Sequence, residues 1–125
     1  MRPSPEKGLV YVVDDVEGNR ILAQAYLGLL GWKVRTAASG PEALAALRER
    51  LPEAMLVDMR MPGMMGDELA RAVKEAPATR AIRLVGYTAH ALPDEVCRFR
   101  KAGFEEVLIK PVLMPEMRRV FGERP

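Results

Sequence analysis

Five short apolar runs, each followed by a stretch of helical periodicity, leave this chain few ways to fold. The first runs from Leu9 to Val13 with no polar interruption, the pattern of a strand buried on both faces. "WKVRTA", "AMLVD", "AIRLVGYT" and "FEEVLIK" read as the other four strands, and Lys33 and Arg35 suggest that the second lies at an edge. Between them, residues 17 to 30 place Ile21, Leu22, Ala25, Leu29 and Leu30 on one helical stripe, which Gly31 ends. "SGPEALAALRERL" carries Ser39 and Glu42 at capping-box spacing with Pro41 in the first turn. Further helices are expected from about Asp67 to Glu75, over "PDEVCRFRKAG" up to Gly103, and over "MPEMRRVF". Strands alternating with helices imply an α/β fold, and right-handed crossovers make it a doubly wound parallel sheet with helices on both faces.

A length of 125 residues suits one domain with one core. Residues 1–7, with two prolines, read as a disordered lead-in; the domain is expected over 8–122 and a short tail over 123–125. The net charge of +2 comes from scattered basic residues, so neither nucleic acid nor a membrane surface is indicated, and Arg118 and Arg119 read as a solvated helix end. No apolar stretch is long enough to span a bilayer. Cys97 stands alone and cannot form an internal disulfide, which favours a reducing compartment and a cytoplasmic location; it is expected to be a small buried apolar residue.

Ligands on open α/β sheets bind at the carboxyl ends of the strands. There the first strand offers Asp14 and Asp15, the third Asp58, the fourth Thr88 and the fifth Lys110. Adjacent carboxylates resist ionising together unless a cation or proton sits among them. Hard oxygen ligands without His or Cys favour Mg²⁺. A metal beside a carboxylate, a hydroxyl and an amine can also support phosphoryl transfer, with the carboxylate as nucleophile.

The motifs "VDDVEGNR", "LVDMRMPGMMG", "GYTAHA" and "LIKP" resemble, in order and spacing, the receiver domain of two-component response regulators, from about Leu9 to Phe121. The resemblance implies a flavodoxin-like strand order 2-1-3-4-5 and makes Asp58 the phosphoacceptor. It implies Asp15 as a direct Mg²⁺ ligand, Asp14 as one acting largely through bound water, and Arg60 as a donor of its backbone carbonyl. Thr88 would follow the phosphoryl group, Lys110 would pair with Asp58 or its phosphate, and small Ala89 would leave the donor room. A cis Lys110–Pro111 bond belongs to the same pattern. The implied partners are a histidine kinase or histidine phosphotransfer protein, and a downstream protein reading the face of helix four, strand five and helix five.

The chain departs from the family at Val107, where receivers usually carry Tyr or Phe, and at Met65, where many carry Asp. Valine has too little volume and too few rotamers for the aromatic's switching role. Met55, Met59, Met61, Met64 and Met65 could suggest a thioether copper site, but without Cys or His nearby they read as flexible gap fillers. His90 is expected to begin a helix and to be exposed, either as plain surface or shielding an acyl phosphate from water. Two other functions fit the same residues: a phosphorylation-independent interaction scaffold, or a Mg²⁺-dependent phosphohydrolase, for which little sequence remains to build a substrate pocket. No DNA-binding output domain is expected, and a stand-alone receiver and a segment of a hybrid kinase both stay open.

Overall fold

The computed structural model describes residues 5–124. In chain order the elements are β1 (Glu6–Val13), α1 (Glu17–Leu29), β2 (Lys33–Ala37), α2 (Gly40–Leu47), β3 (Pro52–Asp58), α3 (Gly66–Glu75), β4 (Arg83–Thr88), α4 (Pro93–Ala102), β5 (Phe104–Ile109) and α5 (Met114–Phe121). The strands form one parallel sheet in the order β2-β1-β3-β4-β5, as the resemblance implied.

The two-residue period of β1 builds two cores at once. Leu9, Tyr11 and Val13 face a cluster containing Ala43, Leu47, Leu69, Val73 and Phe99, from α2, α3 and α4. Val10 and Val12 face Ala23, Leu27, Met117, Val120 and Phe121, from α1 and α5. The Tyr11 hydroxyl is the polar exception, and it donates to the Ala46 carbonyl at 3.0 Å, so its burial leaves no bond unmade.

β1 begins earlier than the apolar run, because Glu6 pairs with Pro52 and its N–H donates to the Leu51 carbonyl at 2.7 Å. Glu6 and Lys7 of the expected lead-in therefore belong to the sheet, while residues 1–4 lie outside the described residues. At the other end, the Arg124 N–H donates to Leu30 at 2.6 Å and its guanidinium lies 4.4 Å from the centre of the Trp32 ring. Gly31 makes that docking possible: its φ is +94°, and a Cβ there would lie 2.1 Å from the Arg124 carbonyl oxygen.

α1 turns a different face inward from the one its sequence suggests. Ala23, Leu27 and Leu30 are buried, whereas Ile21, Leu22 and Leu29 are 59%, 43% and 77% exposed and Ala25 is exposed. Both stripes have helical spacing, and the buried one carries the small Ala23, which lets the helix lie close against β1 and β2. Cys97 is likewise exposed rather than buried, since Phe99 and Ala102 take the inward positions of α4. His90 is exposed as expected but lies in the loop before α4, which starts at Pro93.

At α2 the capping box forms nearly as read: Ser39 Oγ accepts from the Glu42 N–H at 3.2 Å, and Glu42 reaches back to the Ala38 N–H at 3.2 Å. α3 starts directly under the third strand's end because Gly66 has no side chain; a Cβ there would lie 2.7 Å from the Asp58 carbonyl oxygen. Met59 fills the remaining space, fully buried, with its sulfur against the backbones of Gly66 and Gly86.

Candidate functional site

The carboxyl edge of the sheet brings together the residues read from the sequence. Asp14, Asp15 and Asp58 each offer a carboxylate oxygen, and these atoms lie within 4.8 Å of one another. Lys110 closes the group, its Nζ 3.2 Å from Asp58 Oδ1 and 3.5 Å from Asp14 Oδ2. Thr88 is buried at the end of β4, and its carbonyl accepts the Lys110 N–H at 2.8 Å, which ties the fourth and fifth strand ends together. The Lys110–Pro111 peptide is cis.

Each carboxylate has a different setting. Asp14 has no exposed surface; its Oδ1 accepts the Val16 N–H at 2.9 Å and its Oδ2 accepts the Tyr87 hydroxyl. Asp15 is exposed to solvent. Asp58 is 3% exposed and takes the Arg60 N–H on Oδ1 at 3.2 Å. Burial dominates its protonation and lifts the carboxyl to about 6; the Arg60 N–H opposes that, the Asp14 charge adds to it, and the Lys110 ammonium pulls it back.

An oxygen-only cluster of three acids fits a hard divalent cation, and one lysine cannot neutralise all three. The Arg60 side chain points elsewhere: its guanidinium pairs with Glu95 at 2.8 Å, joining the loop after β3 to the first turn of α4.

Tyr87 belongs to this site although the sequence reading passed over it. It is 3% exposed, its hydroxyl reaches Asp14, and Lys110 Nζ lies 4.7 Å from its ring centre. Burial first, and then the bond to Asp14, push its phenol far above the ordinary value, so it is a permanent donor. One signal was available: a phenol inside an apolar strand must find a hydrogen-bond partner, and "GYTAHA" sets one beside Thr88.

Comparison with known proteins agrees with this geometry. Residues 10–121 match the family described as the response regulator receiver domain. The virulence sensor protein BvgS of Bordetella pertussis is 41% identical over 120 residues, which cover 91% of this chain and 10% of that protein. The sensor histidine kinase AruS of Pseudomonas aeruginosa is 40% identical over 116 residues, covering 91% of this chain and 12% of that protein. The chain thus spans about a tenth of the length of these relatives. Among solved structures, the chemotaxis protein CheY4 of Vibrio cholerae superposes with a TM-score of 0.86 at 26% identity, covering 91% of this chain and 95% of that one. The receiver domain of a Pseudomonas aeruginosa sensor histidine kinase, described with a magnesium ion coordinated in its active site cleft, gives a TM-score of 0.83 at 26% identity over 92% of this chain and 94% of that one.

Proposed function

The chain belongs to the response regulator receiver family and is a receiver domain of two-component signalling, and from that premise we propose that Asp58 is its phosphoacceptor. The observation that carries this reading is the placement of Asp58, nearly buried, between a carboxylate pair and a lysine at the sheet's carboxyl edge. The donor is a histidine kinase or histidine phosphotransfer protein. An Asp58 carboxylate oxygen attacks phosphorus, the phosphorus–nitrogen bond of the phosphohistidine breaks, and its electron pair stays on the imidazole. The product is an acyl phosphate.

This chain's residues divide the work by charge. Asp15, Asp58 and the Arg60 carbonyl would hold Mg²⁺, with Asp14 acting largely through bound water; when bound, the ion would neutralise the carboxylates and draw charge from the transferring group. Lys110 moves its pairing from the Asp58 carboxylate to the phosphoryl oxygens, and the Thr88 hydroxyl donates to another of them. Ala89, small and exposed, leaves the approach open. The domain catalyses only its own phosphorylation and dephosphorylation and acts as a signalling module. Its output face is α4, β5 and α5, where Ile109 is 51% exposed. Among the described residues no helix is long and apolar enough to cross a membrane. We assign the module to the cytoplasm on the lone Cys97, which favours a reducing compartment.

The test is intact-mass analysis after exposure to acetyl phosphate and Mg²⁺. The wild-type domain should gain one phosphoryl group per chain, removable by hydroxylamine as acyl phosphates are, and Asp58→Asn should gain none while staying folded. Normal labelling of that variant would move the nucleophile elsewhere. Repeated release of phosphate from an organic phosphomonoester would instead mark a hydrolase.

A further inference from the structure

We propose that Tyr87 is a positioning residue for phosphoryl transfer, holding Asp14 in place so that Lys110 is free to follow the phosphoryl group. The inference rests on the reading of Asp58 as the phosphoacceptor. It starts from a conflict in the site. Lys110 Nζ is shared between Asp58 at 3.2 Å and Asp14 at 3.5 Å. A phosphoryl group on Asp58 demands that ammonium for its own oxygens. Asp14 has no exposed surface, and a buried carboxylate that loses a donor resists giving it up.

The Tyr87 hydroxyl resolves the conflict. It donates to the same oxygen of Asp14 that faces Lys110, so Oδ2 stays satisfied when the ammonium leaves. Being uncharged, the phenol does this without placing a second cation against the carboxylate cluster. The ring is equally placed. It packs in the α1 and α5 core with Leu56, Ala23 and Met117, which fixes where its hydroxyl ends. Its face lies 4.7 Å from Lys110 Nζ, within cation–π range, and so borders the path of the ammonium between the two acids. In the register of the sheet, Tyr87 sits opposite Asp58 itself.

The decisive variant is Tyr87→Phe, which keeps the ring and removes only the donor. Tyr26→Phe is the control, because that phenol lines the same cavity beside Tyr87 without bonding to Asp14. At saturating Mg²⁺, Tyr87→Phe should be phosphorylated by acetyl phosphate about tenfold more slowly, the scale of one lost hydrogen bond to a charged group. A Mg²⁺ titration followed by amide NMR at residues 14, 15 and 58 should show severalfold weaker binding, independent of any transfer step. Tyr26→Phe should match the wild type in both. In an Asp14→Asn background, Tyr87→Phe should have no further effect, since the donor acts through Asp14. Wild-type rate and metal affinity in Tyr87→Phe would overturn the proposal, as would an undiminished loss in the Asp14→Asn background. Absence of labelling in the wild type would instead overturn the phosphoacceptor reading on which it rests.

Discussion

Burial and the Arg60 N–H pull the protonation of Asp58 in opposite directions, and burial wins. Its carboxyl is raised from 3.8 to about 6, so the charged form is the costly one in the metal-free fold. The sign follows directly. The stability contributed by the neutral carboxyl is fully present below the unfolded value and is lost as pH rises through about 6. Asp58→Asn removes that loss, because its nearly isosteric amide stays neutral throughout. Urea unfolding in a chelator should therefore show the variant gaining on the wild type as pH rises from 4 to 8, by about 2 kcal/mol at the upper end. A difference that does not change with pH would mean that Asp58 is ionised at no cost. The residues of this site differed in how legible they were. Asp14, Asp15, Asp58, Thr88 and Lys110 announce themselves as polar groups ending apolar runs. Tyr87 does not, since a phenol within such a run passes for core until its hydroxyl is traced to Asp14.

α1 shows the same limit at the level of an element. Its existence, its length and its stop at Gly31 follow from periodicity and a glycine of positive φ. Its orientation does not, because apolar residues occupy two stripes and periodicity cannot rank them. Contact with the sheet decides, and it selects Ala23 and Leu27. This separates the leucines energetically. Leu27→Ala empties a fully buried site and should cost about 2–5 kcal/mol in chemical denaturation. Leu29→Gln, at a position 77% exposed, should change stability by no more than about 0.5 kcal/mol. Equal costs would mean that the helix is rotated from its position here. Cys97 is exposed for a related reason: α4 has Val96, Cys97, Phe99 and Ala102 to choose from, and the larger Phe99 takes the core.

Across the whole molecule, a change at the sheet's edge has to reach the proposed output face of α4, β5 and α5. The aromatic usual in the family is replaced by Val107, which pairs with Gly86 in the sheet and packs half-buried against the core on the α4 side. The space over Gly86 is already taken, since a Cβ there would lie 2.8 Å from the Met59 sulfur and 3.3 Å from the Phe104 ring. With its stiff χ1 and no hollow to turn into, Val107 has one place to be. A different link is present in the ion pair between Arg60, two residues after Asp58, and Glu95 in the first turn of α4. A phosphoryl group on Asp58 would compete with Glu95 for that guanidinium, and α4 would then loosen from the site loop. Val107→Ala should consequently behave as a packing defect. Its expected cost is about 1 kcal/mol, the scale of removing partly buried methyl groups. The phosphorylation-dependent change in hydrogen exchange over Pro93–Ala102 should persist at its wild-type size. If Val107→Ala folds normally, takes up phosphate at Asp58 and yet leaves exchange in α4 unchanged on phosphorylation, then the valine is the switch despite its size, and the Arg60–Glu95 link is not the route.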